Sequence, residues 1–235
     1  MGPASLGVAR RELERRTSSV VDRIGPGPGS VVDAGAGPGR LLGELCTLGW
    51  NVVGVDVALA MVELAQQRLV GSHGGVVQGR IGELPIRSAG CDVAVATGVL
   101  EYVGAVVGAG DELGRGVRPG GLVVVTTPNR SSLPLLCGRY GWYPAIQCIK
   151  RRLPFGAPAP LRRPGPVSVR QLRTTLRGSH LAVRDVDYVA VRLLPAPFHQ
   201  LFPSLAVRLA DRLESRLGLV TRFFATQVVV TSVKQ

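Results

Sequence analysis

Chemistry is most concentrated in the stretch Asp33-Ala34-Gly35-Ala36-Gly37-Pro38-Gly39. Glycine adopts backbone angles closed to other residues, and its missing side chain lets a ligand come close to the main chain. A helix that begins directly after such a turn offers free N–H groups and the positive end of its dipole to that ligand. One class of ligand is excluded by spacing. A dinucleotide fingerprint needs glycines at the first, third and sixth positions. Counted from Gly35 the sixth residue is Arg40, and counted from Gly37 it is Leu42. Groups able to move a proton are few. His73, in GSHGG, reads as exposed and inert, and His180, in RGSHL, as a turn residue. His199 lies in the apolar, proline-broken loop PAPFHQLFP and is the candidate general base. Tyr102 follows Glu101, and Tyr140 and Tyr143 lie in a segment rich in Pro and Arg. No two of the four cysteines have the two-residue spacing of a zinc knuckle or redox pair, so buried, reduced thiols are expected.

The elements that must position these residues alternate. A helix is expected over 4–24, followed by the breaker GPGPG. Apolar strands are expected at Ser30–Ala34, Asn51–Val55 and Gly75–Gly79, then at Cys91–Ala96 and, after the turn RPGG, Leu122–Thr127. Helices fit Pro38–Gly49, with Leu41, Leu42, Leu45 and Leu48 on one face, Ala58–Val70, and 102–117, where five glycines weaken the pattern. This alternation predicts an α/β fold, a parallel sheet covered on both faces, with ligands at the carboxyl ends of its strands. Residues 129–166 read as an irregular lid. Ser168–Gly178 reads as a helix capped by Ser168, Leu181–Val191 and Ala225–Val233 as strands, and Leu193–Pro203 as a loop. In Ser204–Leu217 a leucine recurs every fourth residue from Leu205, with Arg208, Arg212 and Arg216 beside it.

The 235 residues, 46% hydrophobic, suit one domain. The N-terminus has no signal-peptide core and no run is apolar enough to span a bilayer, so a cytoplasmic protein is expected. Charge is unevenly placed. Residues 1–128 hold 11 basic and 12 acidic residues, whereas 129–235 hold 17 basic and 4 acidic. Such an excess suggests an anionic partner: nucleic acid, lipid headgroups or an acidic substrate.

The segment VVDAGAGPGR resembles the first motif of class I S-adenosylmethionine-dependent methyltransferases. The likeness continues in order through Asp56 at the end of the second strand, GRIGELPI (79–86), CDVAVATGVLEYV (91–103) and GGLVVVTTPNR (120–130). It thus covers about 28–130, and the final strand extends it. TTPNR resembles the quinone-biosynthesis O-methyltransferases of the type 11 group. The resemblance implies a Rossmann-like three-layer domain over 1–235: a seven-stranded, mostly parallel sheet with an antiparallel last strand and helical or irregular caps. Its parts would be an N-terminal helix (1–29), a cofactor-binding core (30–128) and substrate-side segments (129–166 and 192–222).

S-adenosyl-L-methionine is the implied cofactor. Its implied contacts are Asp33, Gly35, Ala36, Gly37 and Gly39 in the first turn, Asp56 on the ribose hydroxyls, Val57, Ile81 and Gly82 around the adenine, and Thr97 and Gly98 after the fourth strand. Leu84 adds apolar surface. Arg80 stands where many relatives have an Asp that accepts from the adenine amino group, and Arg has no acceptor to offer. Tyr102, lining the substrate pocket, and His199, as base, are the catalytic candidates. Some relatives bind a metal at the turn after the fourth strand. Here only Glu101 remains and Tyr102 replaces a His, so no metal is expected. The implied activity is methyl transfer to an oxygen of a small or lipid-like molecule. An RNA methyltransferase and a non-catalytic cofactor-binding protein are the alternatives. Nucleic acid is disfavoured because Ala96-Thr97-Gly98-Val99 replaces the Asn/Asp-Pro-Pro-aromatic turn. The helix Ser204–Leu217 suggests contact with an anionic membrane surface.

Overall fold

The computed structural model describes residues 3–72, 74–103, 106–140, 167–193, 203–214 and 221–235. In chain order these form α1 (Pro3–Ile24), β1 (Gly29–Ala34), α2 (Arg40–Thr47), β2 (Trp50–Asp56), α3 (Leu59–Arg68), β3 (Gly74–Gln78) and β4 (Cys91–Thr97). A 3-10 turn (Leu100–Tyr102), α4 (Val106–Gly116), β5 (Val117–Pro128) and α5 (Leu133–Tyr140) follow. The chain continues with α6 (Val169–Gly178), β6 (Leu181–Val191), α7 (Pro203–Glu214), α8 (Thr221–Phe224) and β7 (Ala225–Lys234). The seven strands stand in the order β3-β2-β1-β4-β5-β7-β6. The first five are parallel, with Val31 beside Val52 and Val93, and Thr97 beside Thr126. Pairing then reverses. Asn129 N donates to Thr226 O (2.9 Å) while Lys234 Nζ donates to Val117 O (2.8 Å), so β7 descends as β5 rises. Arg192 N to Phe224 O (2.9 Å) and Gln235 N to His180 O (3.1 Å) show the same sense against β6. The expected sheet, with its antiparallel last strand, is the one observed.

Two compact units divide the chain, one of Thr17–Thr127, Val167–Asp187 and Val229–Gln235, the other of Met1–Arg16, Pro128–Pro166 and Tyr188–Val228. The first carries the parallel strands. Their near-continuous apolar runs are buried on both faces: Val31, Val52, Val55, Val95 and Val124 are at most 1% exposed. α2 and α3 pack on β2, and α4 packs on β4 and against α6. α2 buries Leu41, Leu42 and Leu45, while Leu48 ends the helix half-buried. The breaker before β1 wraps a side chain: the Trp50 indole donates to Gly25 O at 2.8 Å, and Gly27 and Gly29 lie against its ring. The glycines that weakened the helix expectation over 102–117 have a packing reason. A Cβ on Gly110 would stand 2.7 Å from Thr175 Cγ2, and one on Gly114 2.7 Å from Ser179 O. Small residues on α4 thus let α6 sit close, and α6 buries Leu172 and Leu176 there. Ser168 caps α6 as expected, accepting from Gln171 N at 3.1 Å.

The second unit is held by polar contacts. Arg11 of α1 donates to Asp211 of α7 (2.7 and 2.9 Å) and to Val191 O (3.1 Å). Arg192 grips Glu12 with two bonds of 2.7 Å. Asn129 Nδ2 donates to Arg222 O (2.6 Å) and Ala225 O (2.9 Å), fixing the entry to β7. One expectation needs correction here. The stretch expected to be irregular from 129 contains α5, because Pro134 falls in that helix's first turn, where a missing N–H costs nothing. In α7 the buried residues are Ala206 and Ala210, while Leu209 is half-buried and Leu205 is 50% exposed. Asp211 of the same helix meets Arg11, and Leu205, Arg208 and Arg212 are exposed. No helix among the described residues is long and apolar enough to cross a membrane.

Leu172→Ala would open a void beneath α6. We expect a loss of about 2–5 kcal/mol in urea unfolding, typical of a buried leucine. A loss below about 1 kcal/mol would mean that α6 is not packed as described.

Candidate functional site

The order of the sheet reverses between β1 and β4, and the crevice at the carboxyl ends of those two strands is where open α/β sheets bind ligands. β1 leads into the glycine turn there. Gly35, Gly37 and Gly39 all take left-handed angles (φ +88, +52 and +74). Gly35 N and Ala36 N both donate to Val55 O, at 2.7 and 3.1 Å, so the turn lies across the end of β2. A Cβ on Gly35 would stand 2.7 Å from Val99 Cγ2, and one on Gly39 2.8 Å from Ala65 Cβ. Those two glycines therefore serve packing. At Gly37 a Cβ would meet nothing within 4 Å, so its bare backbone borders open space.

Asp56, at the end of β2, organises this opening. Its Oδ2 accepts from Gly37 N at 2.8 Å and its Oδ1 from Ala58 N at 2.9 Å. One carboxylate thus ties the glycine turn to the start of α3. Asp33 lies lower in the sheet, 1% exposed, beside Gly54 of β2 and Val95 of β4. Beyond β4, Gly98 (φ +64) donates to Thr126 O at 3.3 Å, and the 3-10 turn carries Tyr102, which is 64% exposed. Thr97 is half-buried. Of the apolar residues expected around an adenine, Val57 is 62% exposed, whereas Ile81 (8%) and Leu84 (4%) are sunk into the protein. Gly82 is exposed, and Arg80 pairs through its backbone with Glu83.

The 80–86 segment is pinned by two residues that sequence reasoning overlooked. Glu112 of α4 accepts from Leu84 N (2.7 Å). Arg115, paired with Glu112 at 2.7 Å, donates to Leu84 O (3.0 Å) and Ile86 O (2.8 Å). The hydrogen bond from Arg115 holds the Glu112 carboxyl below the usual carboxylate range, against the opposing effect of burial. The available signal was an acidic and a basic residue three apart in GDELGRG, hidden among helix-weakening glycines.

The structure therefore gathers Gly35, Ala36, Gly37, Gly39, Asp56, Val57, Thr97, Gly98 and Tyr102 around one edge of the sheet. His199, Tyr143 and His73 lie outside the described residues. His180 sits in the turn after α6 (φ +59), as expected. The thiols differ from expectation. Cys91 is buried and its pKa is pushed up to about 11, first by burial, but Cys46 is half-buried and Cys137 exposed.

Residues 32–125 match the methyltransferase domain family. Residues 32–125 form a methyltransferase domain. The cofactor that this family implies is S-adenosylmethionine. The chain is 36% identical over 109 residues to a malonyl-[acyl-carrier protein] O-methyltransferase of Pseudescherichia vulneris, covering 46% of this chain and 43% of that one. It is 31% identical over 134 residues to a ubiquinone biosynthesis O-methyltransferase of Azorhizobium caulinodans, covering 56% and 53%. The chain thus spans about half the length of the curated relatives it matches. Among solved structures it shares its fold with an S-adenosylmethionine-dependent methyltransferase from Mesorhizobium loti (TM-score 0.62, 16% identity, 95% of this chain and 100% of that one).

The methyltransferase domain's residues fit that cofactor. Each Asp56 oxygen accepts one backbone N–H and keeps a second lone pair, leaving two acceptor positions for the two hydroxyls of a ribose. The open space at Gly37 leaves the main chain approachable.

Gly37→Ala tests the opening, and Gly39→Ala is its structural control. Gly37→Ala should fold at a cost of about 1–2 kcal/mol for its backbone angles, yet lose cofactor affinity in calorimetry. Unaltered affinity would place the cofactor elsewhere. Gly39→Ala should be the less stable protein, because its Cβ also meets Ala65. A second expectation concerns acid. Because the folded Glu112 carboxyl is held low, its contribution to stability is present above the ordinary carboxylate range and is lost as pH falls through its folded value. On acidification, urea midpoints of the native protein should fall faster than those of Glu112→Gln, and parallel curves would refute the assignment.

Proposed function

We propose that this chain transfers the methyl group of S-adenosylmethionine to an oxygen of a small or lipid-like acceptor, such as a carboxylic acid or a quinone precursor. The observation that carries the proposal is the Asp56–Gly37 cradle at the switch point, with an exposed tyrosine on the neighbouring loop. Two kinds of similar protein named as O-methyltransferases support oxygen as the receiving atom. The bound cofactor would supply a methyl group already attached to a good leaving centre. The chain must then hold the acceptor oxygen in line with that methyl and keep water away. Asp56 and the glycine turn fix the ribose end, and Val57 and Gly82 border the adenine. Thr97 and Gly98 bound the middle of the site, with Asp33 acting from within the sheet. Tyr102 lines the acceptor pocket, and His199 removes a proton where the acceptor is a hydroxyl. Segments 129–166 and 192–222 recognise the acceptor.

Calorimetry with S-adenosylmethionine, followed by a screen for S-adenosylhomocysteine release with acyl carboxylates and phenols, tests the proposal. Absence of binding would remove it. Asp56→Ala should weaken cofactor binding about 10- to 100-fold, the loss of hydrogen bonds to a charged acceptor. Tyr102→Ala should raise the acceptor KM and leave cofactor affinity unchanged. A shift in cofactor affinity alone would assign Tyr102 to the wrong ligand.

A second reading concerns an anionic membrane surface. α7 presents exposed Leu205 beside exposed Arg208 and Arg212, an apolar residue with cationic neighbours as at lipid interfaces. Co-sedimentation with phosphatidylglycerol vesicles should drop in an Arg208→Ala/Arg212→Ala variant, and equal partition would reject the reading.

A further inference from the structure

We propose that the outer face of α6 is a docking surface for an acidic segment of a partner protein. α6 has the sequence VRQLRTTLRG and contains no acidic residue. Leu172, Thr175 and Leu176 are buried, while Arg170, Arg173 and Arg177 are exposed. Their spacing of three and four residues sets the three guanidinium groups on one stripe, rising about 10 Å along the helix. Among the described residues no carboxylate pairs with any of them. The adjacent acid, Asp111 of α4, instead accepts the Ser179 hydroxyl at 2.7 Å. Such a stripe is a row of unspent, planar donors, each able to grip a carboxylate with two parallel bonds.

The mounting of the helix is rigid. Ser168 caps it, Leu172 and Leu176 anchor it, and the close approaches at Gly110 and Gly114 hold it against α4. A partner that meets it therefore loses little to reorganisation. Position gives the stripe a purpose. Gly110 lies against Thr175 and Gly114 against Ser179, so the two helices run side by side in the same direction. Continued upward, that alignment sets Gln171, the neighbour of Arg170, level with Val106, the first residue of α4, which follows the Tyr102 turn. The stripe thus begins beside the candidate acceptor edge and runs away from it. A partner gripping it would hold its own end next to that edge, as an acceptor borne on a protein would need.

The composition of the face selects among anionic partners. Its other exposed residues are Gln171, Thr174 and Gly178. It has no aromatic ring on which bases could stack, and no exposed large apolar side chain to sink into lipid. Paired charge and hydrogen bonding are what it offers, and an acidic helix or strand answers both.

The inference deepens the reading of the carboxyl edge as the methyl-transfer site, but its test does not depend on turnover. The full chain is titrated with a fluorescein-labelled oligo-glutamate peptide and, separately, with oligocytidylate RNA and phosphatidylglycerol vesicles. Two triple variants are compared: Arg170→Glu/Arg173→Glu/Arg177→Glu, and the charge-matched Arg208→Glu/Arg212→Glu/Arg222→Glu. The α6 variant should bind the peptide at least about tenfold more weakly, and the matched variant within about twofold of native. Equal losses in both would reduce the effect to net charge and overturn the proposal. A tenfold loss toward RNA or vesicles with peptide binding intact would overturn it too, in favour of those partners. Calorimetry with S-adenosylmethionine on the α6 variant should give native affinity. Loss of cofactor binding in the native protein would instead remove the methyl-transfer reading and leave the peptide result standing.

Discussion

The carboxylate of Asp56 and the carbonyl of Val55 between them accept four main-chain N–H groups: Gly35, Ala36, Gly37 and Ala58. All four stand near the end of β2, where the glycine turn crosses it. A turn with three left-handed residues has no ladder partner of its own, and every unpaired N–H at such a place costs free energy. The last two residues of β2 therefore define the turn as much as the turn's own sequence does. Gly54 shows how closely the turn and α2 approach β2: a Cβ there would stand 2.6 Å from Leu42 and 3.1 Å from Ala36.

A second set of constraints comes from α4. Its glycines allow α6 to approach on one side, and its Glu112 and Arg115 reach the 80–86 segment. A single helix thus fixes both the 80–86 segment and the mount of the arginine stripe. Neither link is local in sequence: Leu84 and Glu112 are 28 residues apart, and Asp111 and Ser179 are 68 apart.

This explains what could be read from the sequence. Strands β1, β2 and β4 announce themselves by the Val and Ala runs that burial on both faces demands. The glycine turn and Asp56 were legible because their order along the chain follows the fold. Helix α5 was hidden by proline, whose position in the first turn matters more than its presence. In α7 periodicity names the leucine stripe, but it does not reveal that Ala206 and Ala210 are the buried residues or that Asp211 meets Arg11, 200 residues away in sequence. The Glu112–Arg115 spacing was a faint signal, but the reach of Arg115 to the 80–86 segment was invisible because its acceptors there are backbone carbonyls, which any sequence supplies.

The pairing of β4 with β5 contains an irregularity with a practical side. Cys91 faces Val117 and the next registered pair is Val93 with Leu122, so Arg118, Pro119, Gly120 and Gly121 bulge away from the ladder. Arg118, Pro119 and Gly120 are exposed, and the bulge sits at the amino end of the strands, opposite the glycine turn. Gly121 is confined, since a Cβ there would stand 2.4 Å from Val117 Cγ1, but the tip at Pro119 and Gly120 is unencumbered. Exposed loop tips of this kind accept added chain. A peptide tag or a fluorescent reporter grafted between Pro119 and Gly120 would label the sheet at its amino edge, a handle for tethering it to a surface with the carboxyl edge free.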